Sequence, residues 1–118
     1  MSGGAEALLL GEFAAAAAGY GAAIKTGDPK SAKLHLDRSS EAYRRLRDHG
    51  RAGQESLLAL LANDDVAVRY MAAVHALDFA PTEGERALTE IMGGGPPSPV
   101  QLLAEISLSQ WRSGLLRF

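Results

Sequence analysis

The chain has 118 residues, 12 basic and 14 acidic side chains, three histidines, no cysteine and a net charge of −2. That length suits a single folded domain over 1–118, and 47% hydrophobic residues can build a core without staples. The missing cysteines exclude disulfides, thiolate metal sites and cysteine nucleophiles.

Leu9, Phe13, Ala16, Tyr20 and Ile24 recur at steps of three and four, which predicts an amphipathic helix over about 5–25. Gly19 and Gly21 inside it are read as packing positions and not as a phosphate loop, because small residues let a neighbouring helix approach closely. Glu6 and Glu12 bracket Leu8, Leu9 and Leu10 with no basic leader, so no signal peptide is predicted. The charge-free apolar stretch 13–24 is shorter than the roughly 20 residues of a membrane span. A soluble, cytoplasmic protein is the expectation.

Gly27, Asp28 and Pro29 end one helix and start the next, with glycine at C′, aspartate at the N-cap and proline in the first turn. The second helix is predicted over about 29–48, with Leu36, Ser39, Ser40, Tyr43 and Leu46 on one face, and His49 and Gly50 end it. Leu57, Leu58, Leu60 and Leu61 mark a short third helix over about 54–62. After Asn63, Asp64 is the expected N-cap of a fourth helix over about 65–79. Its inner face carries Val68, Ala72 and His75, widened by Ala73, Ala76 and Leu77.

Pro81 ends that pattern and Thr82 is the expected cap of a fifth helix over about 83–92. Three glycines and two prolines form a loop over 93–97. Ser98 then caps, and Pro99 opens, a sixth helix over about 99–112. Trp111 and the apolar tail of Leu115, Leu116 and Phe118 should pack on the body, since leaving them exposed invites aggregation. No segment alternates with period two. The expected fold is all-α, with about six helices in three antiparallel pairs.

The stretch 57–77 resembles a HEAT-type helical repeat, with Asp64, Val68 and Arg69 in its Asp-x-x-x-Val-Arg pattern. The resemblance implies a HEAT-like right-handed α–α superhelix with the long N-terminal hairpin as a cap and the last two helices as a degenerate second unit. It also implies that Arg69 bonds to an inter-helix turn in the adjoining repeat. Most of the chain is similar to a family of small uncharacterised bacterial proteins, a domain of unknown function. The shared residues are Glu12-Phe13-Ala14, Gly27-Asp28, Val68-Arg69 and the terminal run from Trp111 and Arg112 through Gly114 and Leu116 to Arg117 and Phe118. That family implies an all-helical fold and brings no activity with it.

Chemistry is sparse. His35, His49 and His75 show no zinc-ligand spacing. Asn63, Asp64 and Asp65 lack the glycine and distant glutamate of a calcium loop. His35 and Ser39 are one helical turn apart, but Asp37 points about 200° away from His35, so no local triad forms. His75 is expected to be a core histidine. No catalytic residue, metal or cofactor is expected, and the chain is not read as an enzyme.

Eight bases and four acids give the stretch 25–51 a charge of +4, which leaves −6 for the remainder. Within it Arg44, Arg45, Arg47 and Arg51 are the candidate partner-binding residues, although one helix face can hold only two or three of them. The pI of about 5.9 and the few aromatics argue against nucleic acid. The expected function is a non-catalytic protein-interaction module, in its specific form an immunity or antitoxin-like protein that binds another protein. The alternative is a small-molecule-binding helical domain with its pocket between the first hairpin and the fourth helix. The partner and the oligomeric state are not legible in one sequence.

Overall fold

Local punctuation divides the chain where helices should stop. In the computed structural model, which describes residues 2–116 and 118 (side chains from Gly4 onward), the helices are α1 (Ser2–Thr26), α2 (Pro29–Asp48), α3 (Arg51–Ala59), α4 (Val66–Ala76), α5 (Pro81–Gly93) and α6 (Pro99–Arg112). A single 3₁₀ turn, Leu60–Ala62, prolongs α3. The fold is all-α, as expected, and no strand occurs among the described residues. Arg117 of the terminal motif lies outside the described residues.

Two caps follow the sequence reading. The Asp28 side chain accepts from the Ser31 amide at 3.1 Å, while Gly27, at φ +72°, closes α1 with the Asp28 amide donating to the Ala23 carbonyl. Ser98 and Gln101 form a reciprocal capping box at the start of α6. Two caps differ. Asp65, not Asp64, caps α4 by accepting from the Ala67 amide at 2.8 Å, and Asn63 Oδ1 in turn accepts from the Asp65 amide. At α5 the helix begins at Pro81 itself, behind Ala80, with no side-chain cap from Thr82. Proline at the first position needs no amide partner, so the turn starts one residue earlier.

α4 is the central helix, with eight of its eleven residues buried and α1, α3, α5 and α6 packed around it. Val68, Ala72, Ala73, Ala76 and Leu77 are all buried, as the spacing predicts. His75 is more than half-buried: 6% of its surface is exposed, inside a cage of Phe13, Tyr43 and Phe118 rings at 4.5 to 6.2 Å. α5 packs on both α4 and α6, and a Cβ on Gly84 would come within 2.8 Å of the Ala73 carbonyl oxygen. Trp111, Leu116 and Phe118 pack against the core, but Leu115 projects outward with 70% of its surface exposed. Gly114, at φ +72°, turns the chain there at the end of α6.

α1 and α2 form a long hairpin. A Cβ on Gly19 would fall 2.5 Å from the His35 ring and one on Gly21 2.4 Å from the Ala67 Cβ, so both glycines are contact positions, as expected. α1 is long and apolar enough over Gly4–Thr26 to cross a membrane by composition, which the charge-free count of 13–24 missed because Glu6, Glu12 and Lys25 are the only charges in that longer stretch. In this fold it supplies core residues, Phe13 and Ala17 being fully buried, yet only a third of its most apolar window is covered.

The α2–α3 corner depends on Gly53. Its Cβ position lies 1.9 Å from the Leu46 carbonyl oxygen and 2.8 Å from the carbonyl carbon, backbone atoms that cannot rotate away. Helix propensity alone favours alanine there by up to about 1 kcal/mol. The collision reverses the sign: Gly53→Ala should lose about 2 kcal/mol in chemical denaturation. A gain in stability would show that α3 does not dock this closely.

Candidate functional site: the outer groove of the first hairpin

The hairpin register follows from two contacts. The Gly19 backbone lies under the His35 ring, and His49 Nδ1 sits 3.7 Å from Glu6 Oε1 near the open end. Between them runs a groove of about 480 Å³ on the outer face, floored by Ala15, Ala16, Leu34 and Ala42. Glu12 rises from α1 at its rim, and Arg38, Glu41 and Arg45 rise from α2. Leu34 is 48% exposed, and Leu8, one turn before Glu12, is 66% exposed. Leu36, expected on the inner face of α2, is 39% exposed, while Ser39 on the same face is buried and donates its hydroxyl to the Leu36 carbonyl at 2.8 Å.

The four candidate arginines do not act together. Arg45 joins Arg38 at the groove and lies 3.4 Å from Glu41. Arg44 donates to the other Glu41 oxygen at 2.9 Å, and that hydrogen bond with the Arg44 charge holds the Glu41 carboxyl below its usual pKa. Both pairs are exposed and contribute little to stability.

Arg47 turns toward the body. Its guanidinium stands over the Tyr43 ring, and its Nη1 is 3.5 Å from Asp78 Oδ2, which also accepts from the Tyr43 hydroxyl at 2.5 Å. Burial, then the Asp78 hydrogen bond, pushes the Tyr43 hydroxyl well above its usual value. This cluster ties α2 to the α4–α5 turn. Arg51 opens α3, exposed and without an ion pair among the described residues. Arg38 and Glu12 escaped the sequence reading; only the hairpin register reveals that they share one groove.

Arg69 holds a turn, but a different one from the expected neighbour. Its Nη1 donates to the Asn63 and Asp64 carbonyls at 2.7 and 3.0 Å, within the connection that precedes its own helix. Asp64 therefore contributes its backbone oxygen where a side-chain cap was expected. The arginine reaches back one turn because α4 starts at Val66 and places it directly above those carbonyls.

The histidines are apart. His35 Nδ1 is buried without a hydrogen-bond partner among the described residues, a cost of about 1–3 kcal/mol that its packing on Gly19 must offset. The Ser39 hydroxyl is engaged with a backbone carbonyl, so it is not aimed at His35. Among the described residues no three His, Asp or Glu side chains gather as metal ligands. A second cavity of about 420 Å³ lies where α1 meets the starts of α4 and α6, beside Lys25, Val66 and Pro99. No family model, curated protein or solved structure matches the chain.

Proposed function

We propose that the chain is a non-catalytic protein-interaction module that docks a protein surface on the outer groove of its first hairpin. The observation that carries this reading is the uncovered apolar floor of Ala15, Leu34 and the neighbouring Leu8, ringed by Glu12, Arg38 and Arg45. An apolar centre within a charged rim is the composition of a docking face. A HEAT-like superhelical arrangement belongs to the same proposal. It is supported by the buried Val68, while Arg69, bound to the turn before its own helix and not to one in an adjoining unit, departs from that pattern. Membership in the family of small bacterial helical proteins, acting in the cytoplasm in an immunity or antitoxin-like role, belongs to the proposal as well.

A photo-crosslinking residue placed at Leu34 should give protein adducts in cells, and Arg38→Glu with Arg45→Glu should slow their formation and alter its salt dependence. The same residue at Lys30 should give fewer. Absence of any protein adduct at Leu34 would sink the reading.

The cavity between α1, α4 and α6 favours a second reading, a small-molecule-binding domain. Its volume falls within the range of ligand pockets, and its walls are α1 of the first hairpin, the start of α4 and the start of α6. A small molecule retained at stoichiometric level through native purification would support it.

A further inference from the structure

We infer that the occupant of the hairpin groove is the same groove of a second copy of this chain, in a two-fold dimer. This rests on the docking reading above and names the partner. The face is unpaired in the isolated chain: α1 is largely uncovered, and Leu8 and Leu34 stand out from it. What selects a second copy is the order of groups along the groove. With Gly19 opposite His35 and Glu6 opposite His49, Leu34 lies at the level of residue 20 of α1 and Arg38 at the level of residue 16. Leu8 and Leu34 are then about 18 Å apart along the hairpin, at 1.5 Å per residue.

A two-fold axis crossing the hairpin at Ala14, midway between those levels, reverses the order. It brings the Leu8 end of one copy onto the Leu34 end of the other. The same axis places Glu12 of each copy at the level of the other's Arg38. Neither Glu12 nor Arg38 has an ion-pair partner within its own chain among the described residues, and both border the groove. One axis thus matches apolar ends and opposite charges together, which is what an isologous interface requires. A bilayer is the less suitable occupant, because Glu12, Asp37 and Glu41 on the same rim would be pressed against lipid phosphates.

The experiment is sedimentation velocity on the full chain from low to high micromolar concentration. Wild type should sediment as a dimer. Leu8→Asp and Leu34→Asp, at exposed positions, should raise the dimer dissociation constant at least about tenfold while thermal melting still shows folded protein. Arg38→Glu should weaken the dimer, and adding Glu12→Arg should restore it. A dimer indifferent to Leu8→Asp and Leu34→Asp would overturn the inference, as would a charge swap that fails to rescue. A monomer at every concentration would also overturn it. If the Leu34 crosslinker then labels other proteins, the docking reading survives with a different partner; if it labels nothing, both fail. Flotation with phosphatidylglycerol and phosphatidylethanolamine vesicles, lost in Leu34→Asp, would instead assign the face to a membrane.

Discussion

Val68→Asp should unfold the protein or leave it barely folded. Val68 is 3% exposed and belongs to the core cluster that joins α1, α2 and α4 to α6. A carboxylate placed there has neither water nor a base to receive it, so folding must leave the charge unpaired or take up a proton at neutral pH. Such substitutions cost about 4 kcal/mol or more, a large share of the 5–15 kcal/mol that holds a typical domain together. Val68→Ala removes two methyl groups and should cost about 2 kcal/mol. The two variants together separate lost packing from stranded charge, and equal melting temperatures for both would show that the site is open to solvent.

Mild acid should destabilise the fold through His75. Burial pushes the imidazole down to about 4, against the opposing hydrogen bond to the Met71 carbonyl and the attraction of Asp78. Nδ1 lies 2.9 Å from that carbonyl, so it carries the proton and donates, and the ring is neutral. The unfolded chain takes up its proton near pH 6.5, the folded one only near 4. Stability from this group is therefore complete above about pH 6.5 and falls as the pH drops toward 4, by about 3 kcal/mol in all. The unfolding free energy from denaturant titration should decline by up to about 1.4 kcal/mol per pH unit across that window. His75→Leu cannot take up the proton and should flatten the curve between pH 6.5 and 5, whatever its own stability. An unaltered slope in that variant would place the titrating group elsewhere.

The helices and most of their ends were legible in the sequence because their causes are local. Asp28 and Pro29 start α2, Ser98 and Pro99 start α6, and each needs only partners within a few residues. The three- and four-residue spacing of Leu9, Phe13, Val68, Ala72 and Leu77 marked the core because helical geometry alone puts such residues on one side. Even the close approach at Gly19 and Gly21 followed from residue size.

Tertiary structure decided the choices that local physics leaves nearly equal. Asp64 and Asp65 are equally good capping residues, and the docking of α4 sets which one meets a free amide. Arg47 could extend into solvent like Arg44, yet Asp78, 31 residues away, draws it inward. The candidate site lay beyond sequence reading for the same reason. Glu12 and Arg38 are 26 positions apart in the sequence, and they share a groove only because the Gly19 and His35 contact fixes how the two helices align. Periodicity assigns a residue to a face of its own helix; the level at which two helices meet is set by side-chain packing between them.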